Sequence, residues 1–224
     1  MQQLGSTIAA NRFGLGARPG ELASIGGDGR DWLRAQLHHA PPAVAGEQLA
    51  SCEQVLGQAF ALQREIQQAR RSGNDVQQKL PQLLKPIYQG EATARFQQAV
   101  ITDRPFIERI TQFWSNHFAV SVDKQFMAGL AGSFEREAIR PRVLGNFGDL
   151  LLAAEMHPAM LLYLDNHLSA GPHSAAAMRA GLRRRGANRA IGINENLGRE
   201  ILELHTLGVG GGYTQYDVTG FATV

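Results

Sequence analysis

"TDRPFIERITQFWSNHFAVS", residues 102–121, decides the fold class. Thr102 or Asp103 can cap a helix, and Pro105 stands near its first turn, where a fixed φ and a missing N–H do no harm. Phe106, Ile110, Phe113, Trp114, His117 and Phe118 then recur at helical spacing and form one wide aromatic stripe. The pattern predicts a helix that belongs in a core.

The flanking segments extend this pattern. Residues 47–70, "EQLASCEQVLGQAFALQREIQQAR", are good helix formers apart from modest costs at Ser51 and Gly57, and "RSGND" at 71–75 is a turn signal. A second Gln-rich helix is expected from about Val76, interrupted at Pro81 and again at Pro86, so the two resemble a helical hairpin with solvated polar faces. Downstream, residues 133–169 predict three short helices, with breaks at Pro141, at "GNFGD" and at the His157–Pro158 step. Residues 170–193 lose periodicity and collect Gly, Ala and Arg, which predicts a loop. Nothing predicts a strand. The expected fold is an all-α, multi-helix globular bundle with long loops. It divides into a Gly-rich loop and short helix over 1–46, a Gln-rich hairpin over 47–90, and a helical core over 91–224.

Gly14, Gly16 and Gly20 superficially resemble a phosphate loop, but no strand precedes them, no Lys-Ser or Lys-Thr follows, and Pro19 interrupts the spacing. A wrapped N-terminal loop is expected instead, followed by a short helix that starts at Asp28 or Asp31 and stops at "APPA". At the other end Thr214 and Asp217 make a capping-box-like pair. The helix they open has no C-terminal cap, so the chain is expected to end partway through a larger helical domain and to self-associate through that end.

Composition excludes several classes of function. With 22 basic and 20 acidic residues the net charge is +2, which gives no global drive toward nucleic acid or an anionic membrane. The single cysteine, Cys52, rules out an internal disulfide and a Cys-rich zinc site, and its helical surroundings suit a small filler better than a nucleophile. No run approaches the roughly 18 apolar residues that span a bilayer, and the N-terminus carries no signal peptide, so a cytoplasmic chain is expected.

The blocks "NRFGLGARPGE", "FWSNHFAVS", "REAIRPRVLGNFGDLLLA", "HPAMLLYLDNHLS" and "NENLGREILELHTLGVGGGYTQYDV" occur in this order along nearly the whole chain. Together they closely resemble the bacterial family catalogued as domain of unknown function 1800. The resemblance implies no established activity. It does imply a longer helical protein, a frequently exported one, and a sulfatase-like companion encoded nearby. Gly210 departs from the family pattern, in which an acid often stands at that position.

The last block carries the candidate chemistry. Asn194 is a good N-cap, Glu195 suits the positive end of the helix dipole, and Gly208 is a C-terminal stop. At ~100° per residue, Leu197, Ile201, Leu204 and Leu207 share a stripe with Glu200 at its edge, while His205 lies on the opposite shoulder. Glu203 and His205 then stand ~160° apart and cannot chelate one ion. Glu200 with Glu203 remains a partly buried carboxylate cluster, suited either to general acid–base work or to an ion pair with Arg136 or Arg140. His117, on the aromatic face, and Asp165 and His167, at a helix end, are the groups that would have to meet Glu200 in a hydrolytic or metal site. Catalytic candidates are therefore Glu200, His117 and Asp165, and metal candidates are His117, His167 and Glu200. Arg183, Arg184 and Arg185 are candidates for gripping an anion or an acidic partner. Without interleaved aromatics, these arginines do not argue for single-stranded nucleic acid. Two functions are carried forward: a helical scaffold or accessory protein that binds a partner, and a hydrolase-like enzyme with a carboxylate–histidine site.

Overall fold

The computed structural model describes residues 2–46, 49–74, 79–124, 126–171, 174–175 and 192–223. Among these residues every regular element is helical and none is a strand, and no helix is long and apolar enough to cross a membrane. The chain divides into two compact units, Met1–Ala153 and Ala154–Val224.

The first unit contains α1 (Gln2–Phe13), α2 (Glu21–Ile25), α3 (Gly29–Ala35), α4 (Cys52–Arg71), α5 (Leu80–Ile101), α6 (Pro105–His117) and α7 (Met127–Phe134). α7 runs on into a π-turn at Glu135–Ile139 and a 3-10 turn at Arg140–Arg142, and α8 (Phe147–Glu155) carries the division between the units. Helix α1 precedes the glycine-punctuated loop over residues 14–20, on residues for which no helix was expected. Its buried Ala9 and Ala10 pack with Ile25 and the partly buried Trp32, so small residues rather than an obvious stripe make it a core element. Ser51 is the N-cap of α4 rather than an interior residue, because its hydroxyl accepts from Gln54 N–H while Gln54 Oε1 accepts from Ser51 N–H. Helix α5 runs unbroken to Ile101. Pro81 falls in its first turn, where no N–H is needed, and Pro86 stands inside the helix at an exposed position.

Tight packing follows from small residues. A Cβ on Gly129 would lie 2.7 Å from Leu84 Cδ2 and 2.8 Å from Val55 Cγ1, and one on Gly132 would lie 2.5 Å from Glu91 Cβ. Arginines of α6 then close the ends of earlier helices. Arg109 donates to Asn11 O in the last turn of α1 and to Gly14 O just after it, and Arg104 donates to Gln36 O, His39 O and Ala40 O after α3. The aromatic stripe of α6 is not its deepest face. Ile107, Glu108 and Thr111 are fully buried while Phe113 is largely exposed.

The second unit begins at the end of α8 and contains α9 (Pro158–Tyr163), a 3-10 turn at Asn166–Leu168, α10 (Asn196–Glu200), a π-turn at Ile201–Thr206, and α11 (Gln215–Ala222). His157 caps α9 by accepting from Ala159 N–H at Nδ1. The expected capping box at Thr214 and Asp217 opens α11. Gly208, Gly210 and Gly212, all at positive φ, form the link before it. An acid at position 210 would have to adopt φ near 74°, which aspartate tolerates better than most residues.

Gly132→Ala is expected to lower stability by about 1–3 kcal/mol through overpacking against Glu91. Gly57→Ala, in open space inside α4, is expected to raise it by about 0.5–1 kcal/mol. Urea denaturation of both variants checks the opposite signs.

Candidate functional site

Two polar assemblies stand out, one in each unit. In the first, the π-turn sets the geometry. An i→i+5 turn brings residues five apart onto one face, where an α-helix would separate them by ~140°. Glu135 and Arg140 therefore meet, with Arg140 Nη2 3.2 Å from Glu135 Oε1. Arg140 also donates to both oxygens of Glu108, Nη1 to Oε1 and Nη2 to Oε2, each at 2.7 Å, in a bidentate pair with both residues almost wholly buried. Glu135 Oε2 accepts from Ser115 Oγ at 3.1 Å and is ion-paired with Arg95, whose Nε stands 2.7 Å away. Beside them, Arg136 pairs bidentately with Glu91 and donates to Ala50 O.

Three carboxylates and three guanidiniums thus neutralise one another along α5, α6 and the π-turn. Burial opposes the charge on Arg140, but the hydrogen bonds and field of Glu108, then of Glu135, more than offset it and hold its proton more tightly than in an ordinary arginine. Glu137 Oε1 accepts from the N–H of the buried Cys52 and so anchors the start of α4. Arg136 and Arg140, considered from sequence as partners for Glu200, pair instead with Glu91, Glu108 and Glu135. The available signal was the concentration of glutamates and arginines in otherwise apolar helices. The i→i+5 turn that joins them leaves no local signature.

In the second unit His205 Nδ1 stands 2.7 Å from Glu155 Oε1, with both side chains buried. Sequence reasoning missed this pair, because α-helical angles place His205 on the shoulder opposite the buried stripe. The π-turn at Ile201–Thr206 advances by roughly 80° per residue instead, and it buries His205 while leaving Leu204 and Leu207 exposed. Asn194 does more than cap. Its Oδ1 accepts from Asn196 N–H, its Nδ2 donates to Leu164 O and Asp165 O, and its own N–H donates to Ser169 Oγ. Glu195 joins α10 to α11 by accepting from Gln215 Nε2 and Thr219 Oγ1, with Arg199 bridging Glu195, Glu203 and Gln215.

The sequence-derived candidates are distributed as follows. His117 closes α6 in the first unit, packed edge-on against Trp114 and Phe118. Asp165, at φ 58°, precedes the 3-10 turn of the second unit, the exposed His167 lies within that turn, and Glu200 is half-buried at the end of α10. Arg183, Arg184 and Arg185 lie outside the described residues. Among the described residues no group of three or more His, Cys, Asp or Glu side chains is arranged to hold a metal ion.

Glu108→Ala is expected to cost about 3–5 kcal/mol by stranding Arg140. The double change Glu108→Leu with Arg140→Met is expected to recover most of that loss, as measured by chemical denaturation in a double-mutant cycle. A second expectation concerns acid. Hydrogen bonds from the Thr214 backbone and then its hydroxyl hold Asp217 below the ordinary carboxylate value, and those from Thr219 and Gln215 do the same for Glu195. A depressed folded-state value contributes stability that is complete above the unfolded value and lost as pH falls through the folded one. Amide protection factors in α11, taken relative to intrinsic exchange at each pH, should therefore fall in acid, and Asp217→Asn should weaken that dependence.

The family model described as "Protein of unknown function (DUF1800)" matches residues 8–224. No curated protein matches the chain, and no solved structure matches it.

Proposed function

From the premise that the chain belongs to the DUF1800 family, we propose that it is a helical accessory module that binds a protein partner. The carrying observation is that its most buried charged groups are consumed by one another. Glu108 and Glu135 are paired with Arg140 and Arg95, and Glu91 is taken up bidentately by Arg136. Carboxylates held this way organise the core of the first unit rather than stand poised to move a proton. The outer surface has the opposite character, with Val100 and Ile101 each 67% exposed at the end of α5. The partner implied by the family resemblance is the sulfatase-like companion.

A second reading, a hydrolase-like enzyme, is favoured by one observation. The buried Glu155 stands close beside His205, the pairing of carboxylate and imidazole that base catalysis uses. It shifts the candidate chemistry from Glu200, His117 and Asp165 to this pair.

Co-expression with the companion, followed by size-exclusion chromatography with light scattering, separates the readings. The accessory reading expects a stoichiometric complex that Val100→Asp with Ile101→Asp abolishes while the fold is kept. No complex at any concentration, together with hydrolytic turnover lost in His205→Ala, would favour the enzyme. The same concentration series reports self-association through the exposed Val209 and Tyr216 of the second unit, which a Tyr216→Ser change should weaken.

A further inference from the structure

One face of α5 and the facing end of α7 enclose a pocket of about 200 Å³. Tyr88, Ala92 and Phe96 stand four residues apart along α5 and supply a largely apolar wall, and Ala131 and Gly132 of α7 line the pocket as well. The charged lining is Glu91, Arg95, Glu135 and Arg136, which sums to zero.

These four groups are unequally committed. Glu91 spends both oxygens on Arg136, and Arg136 is further held by Ala50 O. Glu135 accepts from Arg140 at one oxygen and from Ser115 at the other, which is also ion-paired with Arg95. Arg95 differs from the rest. Its Nε is bound to Glu135, its side chain is 42% exposed, and its two terminal nitrogens have no protein partner among the described residues. The pocket therefore offers unspent donors on Arg95 and no unspent carboxylate, beside a largely apolar wall. A guanidinium edge in that setting matches a carboxylate in a bidentate fork. The volume lies below the roughly 300–1,000 Å³ of drug-sized sites, so the body that fits is a single ring or its equivalent.

We propose that this pocket binds a small arylalkyl monocarboxylate, with the carboxylate on the terminal nitrogens of Arg95 and the ring against Tyr88, Ala92 and Phe96. Val100 continues the same face of α5 four residues beyond Phe96, so the site adjoins the surface assigned above to a protein partner. The ion pair to Glu135 fixes the guanidinium in place before the ligand arrives, which reduces the ordering cost of binding.

The test is a calorimetric or NMR titration of the full chain with sodium phenylacetate, with phenylacetamide as the uncharged control. Saturable binding of phenylacetate, at least tenfold weaker binding of the amide, and a loss of at least tenfold in Arg95→Met are expected. Ala92→Leu fills the pocket and touches no ion pair, so it should also abolish binding, and it keeps the test intact where Arg95→Met perturbs folding. Three results would overturn the proposal: no saturable binding of phenylacetate to the unaltered chain, equal binding of acid and amide, or binding that survives Ala92→Leu.

Discussion

The bidentate pair between Glu108 and Arg140 is the constraint on which the first unit depends. Both side chains are withdrawn from water, and two charges so withdrawn are tolerable only with good geometry and further hydrogen bonds on the remaining polar atoms. Glu135, Arg95 and Ser115 supply much of that surrounding shell. The pair also sets the rotation of α6. With Glu108 pointed inward, Ile107 and Thr111 go inward with it, and Phe113 is turned out. An apolar core would have been indifferent to small rotations of this helix. A fork matched to a carboxylate is not.

The π-turns are what make both buried assemblies possible. Each follows directly on a short α-helix and widens the backbone so that residues five apart share a face. In the first unit this delivers Arg140 to Glu135 and, from there, to Glu108. In the second it turns His205 inward to Glu155 and leaves leucines outside. Local widening thus converts a polar sequence into a buried polar core at two places. Both blocks that carry these turns, "REAIRPR" and "REILELHT", are among those that mark the family resemblance.

The arginines divide into three kinds of work. Arg104, Arg109 and Arg142 satisfy carbonyl groups left over at helix and turn ends. Arg136 and Arg140 neutralise buried carboxylates. Arg95 does so with one nitrogen only and keeps the rest of its fork at a pocket lined by apolar groups. That uncommitted edge sets Arg95 apart from Arg136 and Arg140, and it is what gives the pocket a chemical preference.

The sequence by itself determined the helical class, the breaks at Pro141 and His157–Pro158, the stop at Gly208, and the capping box of α11. Each of these depends on a few neighbouring residues through backbone sterics or a hydrogen bond spanning one turn, so it is legible locally. Only the tertiary structure decided which faces are inside. The stripe read on α6 and the stripe read across 197–207 assumed that apolar residues go inward and that each helix keeps a constant angular step. A partner 32 residues away overturned the first assumption at Glu108, and an i→i+5 turn overturned the second at His205. The cost of burying Glu108 depends on whether Arg140 is there to meet it, and a single helix cannot contain that information.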